Sequence, residues 1–335
     1  MESNVTLAQV ARAAGVSAST VSRILNGSAG VSPEKRETVE RTMTQLGYRP
    51  NVLARGLASG KTMSVGVLTQ DISSPFYGET LRGIERGLAG SGYHPVFVSG
   101  HWHVRQEIEA IDVLLERKVD ALIVLGGTIQ GGRLREVARN LPLVVLGRTV
   151  AELEAQCLRL DNFGGGRAAT RHLIELGHRA IAHIAGDSSH RDARDRLAGY
   201  EAALLEGDLP FDEGLVLHGD FMEQSGFLAA TRLVEGRRVF DAIFAANDQM
   251  AYGARLALHR KGLRVPDDVS LVGFDDLPSS TYTAPPLTTV RQPTYEMGCA
   301  AAECVLDMLG GRPPALPPLD VQLVIRESTA RRRTG

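Results

Sequence analysis

VTLAQVARAAGVSASTVSRILN, residues 5–26, is the stretch on which the reading of this chain turns. Thr6 stands three residues before Gln9. At that spacing a hydroxyl accepts from the third helical amide while the Gln side chain reaches back to the cap amide. A helix is therefore expected from Leu7, with Leu7, Val10, Ala11 and Ala14 on its apolar face. It should stop at Gly15, where a tight turn needs a residue tolerant of positive φ. Ser17 caps a second helix, residues 18–26, whose inward positions are Val21, Ile24 and Leu25. Its outward face is small and polar: Ala18, Ser19, Ser22, Arg23 and Asn26. Two short helices joined by a Gly-containing turn, the second ending in Arg and Asn, have the layout of a helix-turn-helix that reads DNA. Short side chains at Ala18 and Ser19 let the second helix sit deep in the major groove.

Ser32-Pro33 then supplies an N-cap and a Pro at the first helical position. A third helix follows, with Val39, Met43 and Leu46 inward and Gly47 as terminator. Residues 1–61 hold six Arg and two Lys against four Glu, a local charge of +4. Against the net −2 of the whole chain, the remainder carries −6. A basic head on an acidic body suits a polyanion-binding module joined to a domain with another task. Residues 51–59, NVLARGLAS, have N-cap chemistry and helical composition, yet so short a helix is not stable alone in water. It needs a partner to form; a flexible linker fits the same composition.

The stretch from VTLAQVARAAG through PNVLARGLASGKT resembles, without a gap, the DNA-binding head and linker of the lac-repressor and galactose-repressor family, and the string AGVSxxTVSRxLN is specific to it. The resemblance implies that Ala18 and Ser19 read base edges and that Arg23 reaches a guanine. It implies that Thr6, Ser17, Thr20, Ser22 and Asn26 fix phosphates. Asn51, Leu57 and Ala58 would then belong to a hinge helix that pairs with its twin in a dimer and enters the minor groove, with Leu57 wedged into a central base step.

Beyond Lys61, short apolar runs alternate with amphipathic stretches. The runs are VGVL (65–68), VFVS (96–99), ALIVL (121–125), LVVLG (143–147), AIAHI (180–184), AIFAA (242–246) and SLVGF (270–274). Helical stretches lie between them at 78–89, 105–118, 167–176, 197–205 and 250–261. Apolar strands alternating with helices indicate parallel sheets covered on both faces, and seven strands are too many for one small sheet. An α/β body of two doubly wound lobes is expected, with ligands held at the carboxyl ends of the strands. The residues at those ends are Asp71, Phe76, Trp102, Arg148, Asp192, Arg196, Phe221, Asn247 and Asp275. Carboxylates, an Arg and an Asn interleaved with aromatics suit a sugar: paired donors and acceptors hold vicinal hydroxyls while aromatic faces cover the ring.

The body resembles the same family through HRDARDRLAGY, ANDQMAYGA, GLRVPDDVSLVGFDD and PPLTTVRQP, the first closest to its galactose-repressor branch. By position, the resemblance makes Arg196, Asn247 and Asp275 the binders of effector hydroxyls, Phe221 the stacking aromatic, and Asp192 part of the ligand loop. His190 and Asp192 depart from the purine-responsive branch, which argues against a nucleobase. The resemblance implies a periplasmic-binding-protein-like body and sets the expected domains. These are 1–47 for the head, 48–61 for the hinge, and 62–330 for effector binding and dimerisation, with 331–335 as a tail. One lobe takes about 62–161 and 291–319, the other about 162–290 and 320–330.

Other classes fare worse. Gly164-Gly165-Gly166-Arg167-Ala168-Ala169 satisfies a loose dinucleotide fingerprint, but no acidic ribose partner follows at the required distance, so close strand–helix packing is the expected use of these glycines. His101 and His103 lack a third ligand, and no nucleophile elbow, P-loop or catalytic carboxylate pair stands out. Neither a metal nor a cofactor is expected, and no enzymatic activity. Three cysteines without paired spacing suit a reducing cytoplasm. No signal peptide or membrane span is read, which with the head disfavours a periplasmic sugar-binding protein. The expectation is a homodimeric repressor of carbohydrate catabolism genes, released from a palindromic operator by a sugar or sugar-derived effector. A corepressor mode and a sugar-binding module without DNA reading are the alternatives.

Overall fold

The computed structural model describes residues 5–25, 30–48, 60–236 and 238–332. The chain divides between Ser64 and Val65 into two compact units. In the first, α1 (Leu7–Ala13), α2 (Ala18–Leu25) and α3 (Pro33–Gln45) enclose a core of Val10, Ala11, Val21, Ile24 and Val39. The Thr6–Gln9 capping box forms in full. Gly15, at φ 65°, follows α1 and lets the Val16 amide reach Ala11 O at 3.0 Å, a Schellman closure. Gly47 repeats the device after α3, where the Tyr48 amide bonds Met43 O at 2.9 Å. That closure corrects one expectation. Leu46 is the C-cap of α3 and is 38% exposed, because the turn at Gly47 brings Tyr48 back onto the core instead.

The second unit holds two α/β lobes. The first is built on β1 (Ser64–Thr69), β2 (His94–Ser99), β3 (Ala121–Leu125), β4 (Leu143–Leu146) and β5 (Cys157–Leu158), in the order β2-β1-β3-β4-β5. The second is built on β6 (Ile181–Ala185), β7 (Val216–His218), β8 (Ala242–Ala245), β9 (Ser270–Asp275), β10 (Thr288–Arg291) and β11 (Gln322–Val324), in the order β11-β10-β9-β8-β6-β7. The β1–β3, β3–β4, β4–β5, β6–β7, β6–β8, β8–β9 and β9–β10 pairs are parallel, while β11 closes its edge antiparallel to β10. Central strands such as β3 are buried along their whole length, as a sheet covered on both faces requires.

The covering helices are α4 (Pro75–Leu88), α5 (Val104–Glu116) and α6 (Gly131–Ala138) on the first lobe. On the second they are α7 (Asn162–Glu175), α8 (Arg191–Glu206), α9 (Glu223–Glu235) and α10 (Asp248–Arg260). A last helix, α11 (Thr294–Leu309), returns from β10 to pack on α4, so the chain crosses between lobes more than once. The glycine cluster 164–166 lies inside the first turns of α7. A Cβ on Gly165 would meet the Phe274 ring at 2.7 Å, and one on Gly166 would meet Arg196 O at 2.4 Å. The glycines therefore serve close packing, Gly165 against the sheet and Gly166 against α8.

Candidate functional site

In the first unit, Thr6, Ser17, Ala18, Ser19 and Arg23 are exposed, and Thr20 and Ser22 are half-buried. Ser17 Oγ accepts from the Thr20 amide at 3.2 Å and lies 2.9 Å from Ser19 Oγ and 2.8 Å from Thr20 Oγ1. With Val21 and Ile24 fully committed to the core, α2 offers solvent a rim of hydroxyls, one methyl and one guanidinium. Asn26, Asn51, Leu57 and Ala58 lie outside the described residues.

In the second unit the expected ligand residues gather where the carboxyl ends of both sheets meet. At the centre is Arg196, buried on α8. Its Nε donates to Asn162 Oδ1 at 2.8 Å and its Nη1 to Ala246 O at 2.5 Å, and the guanidinium lies 3.8 Å over the Phe274 ring. Nη1 also stands 3.8 Å from Asp275 Oδ1, in an ion pair whose side chains are each 5% exposed. Asn162 passes the contact on, donating through Nδ2 to Asp192 Oδ1 at 3.1 Å. Gln292 donates to Asp275 Oδ1 at 2.7 Å. Asp192 sits in the first turn of α8, not in a loop, because the helix begins at Arg191. Burial raises the Asp192 carboxyl above the usual carboxylate range, and Arg196 opposes the rise. Burial likewise raises Asp275, against Arg196 and the Gln292 hydrogen bond. Polar groups held out of water in this way bind other polar groups strongly when the geometry matches.

Aromatic rings gather at the strand ends of both lobes as well. Trp102, from the first lobe, stacks on His190 of the second at 4.0 Å between centroids, and His190 stacks on Phe221 at 5.5 Å. Asn247 caps α10 by accepting from the Met250 amide, and its Nδ2 donates to Phe221 O at 2.9 Å. Its capping role thus fixes the backbone that carries the Phe221 ring. Of the nine described non-glycine residues with positive φ, His101, Trp102, Phe221, Asp275 and Asp276 lie here. Left-handed backbone costs such residues about 1–2 kcal/mol each, and strain of this kind collects at functional sites.

Three expected residues are engaged differently. Asp71 spends its Oδ1 on the Ser73 amide and hydroxyl, which holds its carboxyl below the ordinary range. Phe76 meets Tyr77 edge to face. It is Tyr77 whose hydroxyl feels the Asp192 and Asp275 charges; burial, chiefly, and those charges raise its pKa well above the ordinary value. Arg148 donates from Nη1 to Ile129 O at 2.8 Å, while its Nε and Nη2 are buried without a protein partner. Burial lowers its pKa. Sequence reading did not single out Tyr77, Asn162, Gln70 or Gln292. Gln70 is fully buried; it donates to Leu125 O and accepts from the Trp102 amide, so it places the indole. Asp248 is equally buried but structural, binding Leu277 N, Ser280 Oγ and Thr289 Oγ1.

Paired donors and acceptors with aromatic rings at the same strand ends can hold a small hydroxylated molecule, and α2 can meet a nucleic acid. Similarity to known proteins agrees on both units. Residues 6–51 match the model of bacterial regulatory proteins of the lacI family, and residues 170–329 that of a periplasmic binding protein-like domain. The HTH-type transcriptional regulator GalR of Escherichia coli (strain K12) is 38% identical over 309 residues, 92% of this chain and 90% of that protein. CelR of Thermobifida fusca is 37% identical over 334 residues, 96% and 98% of the two chains. Among solved structures, a lac repressor dimer bound to operator and the anti-inducer ONPF matches with a TM-score of 0.87 and 32% identity, covering 98% of this chain and 100% of that one. On the strength of the head, the body and relatives that span nearly its full length, the chain belongs to the lacI family of bacterial regulatory proteins.

Proposed function

We propose that this regulator represses carbohydrate catabolism genes as a cytoplasmic homodimer on a pseudo-palindromic operator, and that a sugar or sugar-derived effector bound between the lobes releases it. The observation that carries the reading is the buried Arg196–Asp275 pair with Asn162, Asp192 and Gln292 around it, together with the Trp102–His190–Phe221 stack that follows the strand ends of both lobes. That set matches alternating hydroxyls and an apolar sugar face. Family relatives support the ligand class: one solved relative is a CelR–cellobiose complex, 37% identical, and another carries bound ribose at 28% identity. The solved lac repressor dimer on its operator supports the DNA partner and the dimer. α2 supplies Ala18, Ser19 and Arg23 for base edges and Thr20 and Ser22 for phosphates, with Ser17 just before α2 and Thr6, the N-cap of α1, as further phosphate contacts. Asn26, Asn51, Leu57 and Ala58 complete the proposed contact set.

Mechanistically, an effector that binds one lobe arrangement better than another shifts the population toward it. It can weaken operator binding only by that difference in affinity.

Selecting duplexes from a random DNA pool with the purified protein tests the proposal, with and without a panel of cellobiose, D-galactose, D-glucose and D-ribose. A palindrome enriched without sugar and lost with it supports the reading. Enrichment that requires sugar replaces release by a corepressor mode, and no enrichment in either condition overturns the DNA assignment.

A further inference from the structure

Three rings are stacked where the lobes meet, and only one comes from the first lobe. Trp102 follows β2 on a turn where both His101 (φ 52°) and Trp102 (φ 60°) take left-handed backbone. The turn is braced by Gln70, whose backbone carbonyl accepts from His101 N at 2.9 Å and whose side chain accepts from Trp102 N at 3.0 Å. The indole lies close over Gly126, where an added Cβ would stand 3.2 Å from its Cη2. The indole is thus held in a strained, seated position, and its ring contact is made across the lobe boundary, to His190 at 4.0 Å and 24°. His190 is the N-cap of α8, yet its side chain makes no capping hydrogen bond. The imidazole instead lies nearly parallel to Trp102 and, at 13°, to Phe221. The Phe221 ring in turn packs where Gly186 lacks a side chain, with an added Cβ there only 2.2 Å from Cζ.

We propose that Trp102, His190 and Phe221 form an interlobe clasp in which the His190 imidazole occupies the aromatic slot that an effector ring would use. The clasp draws the lobes together without ligand and competes with ligand for the same two faces. This inference rests on the proposed effector site, and it reverses the naive role of His190. A residue that merely touches ligand weakens binding when truncated, whereas a built-in occupant strengthens it. Aromatic stacking is strong enough for the difference to be measured as roughly a three- to tenfold change in affinity.

The chain contains one tryptophan, so its emission reports on Trp102 alone. Acrylamide quenching of the full-length, ligand-free protein is compared for wild type, His190→Ala and His190→Phe. The clasp requires a protected indole in wild type, quenching raised several-fold in His190→Ala, and protection restored in His190→Phe, which keeps a stacking ring. Equal quenching in wild type and His190→Ala overturns the clasp, whatever the fate of the effector assignment. Titrating the same proteins with cellobiose, D-galactose, D-glucose and D-ribose tests the competition. Tighter binding of any of these by His190→Ala supports it, and weaker binding by His190→Ala overturns it. Absence of all binding by wild type counts against the proposed effector class and the competition together, while the ligand-free quenching still decides the clasp.

Discussion

Gln292 donates its Nε2–H to Asp275 Oδ1 at 2.7 Å, tying the residue that follows β10 to the last residue of β9. Both side chains are buried, with Gln292 at 6% exposure and Asp275 at 6%. The bond holds the carboxylate beside Arg196 and satisfies one of its lone pairs in a place water does not reach. Gln292→Leu leaves that acceptor unsatisfied, so stability falls by about 1–3 kcal/mol. Denaturant unfolding of the purified protein measures the loss. An unchanged midpoint would mean that Asp275 finds another donor.

Arg23 is exposed on α2 and makes no ion pair among the described residues, so its removal leaves the small core intact. Arg23→Met is expected to change stability by less than about 0.5 kcal/mol. Specific operator affinity, in contrast, falls by about 1–3 kcal/mol, with relaxed discrimination at one base pair. Binding titrations on the selected palindrome and on variants at each position separate this from loss of a phosphate contact, which weakens all sequences alike.

His183 lies in β6, fully buried, with its rings-on-rings stacking between Tyr200 and Phe244. Its Nδ1 is 2.9 Å from Phe244 O, which assigns the proton to Nδ1, while Nε2 has no partner. Burial lowers its pKa from 6.5 to about 4. The folded state therefore binds fewer protons than the unfolded chain between these values, and stability rises with pH across that window. Full protonation forfeits roughly 3 kcal/mol from this residue. A His183→Gln variant should show a shallower loss of stability than wild type between pH 6.5 and 4, and parallel profiles would remove His183 as the cause.

The head and most strands were legible because their signals are local. A capping box, two Schellman glycines and the apolar runs each specify structure within a few residues. What escaped reading was specified across distance. The strand at Thr288–Arg291 reads as TTVR, polar in sequence yet buried at its first three positions, because Thr288 and Thr289 bond Thr329, Asp248 and the Arg326 amide. With that strand unread, Gln292 had no reason to count as a strand-end residue. The β5 strand is two residues long, so Asn162 was hidden in the same way. The sequence pattern starts α7 at 167, whereas the helix begins at Asn162, because three glycines disguise its first turns. Tyr77 stands beside Phe76 in an aromatic pair, and only the tertiary fold decides which ring approaches the carboxylates.

Arg196 and Asp275 give the sharpest test of the site's electrostatics, since each is 5% exposed at the side chain and leans on the other. Arg196→Met removes the countercharge and two further hydrogen bonds, and leaves a buried carboxylate. A loss of about 3–5 kcal/mol is expected. Adding Asp275→Asn to that variant should cost less than Asp275→Asn alone, because the uncompensated charge disappears with it. The sign of the pH dependence follows from the raised Asp275 carboxyl. Arg196 holds that rise in check, so without it the carboxyl climbs further and the variant's folded state takes up its proton at higher pH than the wild type's; the deficit of Arg196→Met therefore shrinks on going from pH 8 to pH 5. Denaturant midpoints of the two single variants and the double variant at both pH values decide the matter. Strict additivity with no pH dependence would mean that the pair is a neighbourly contact and not the charged centre of the site.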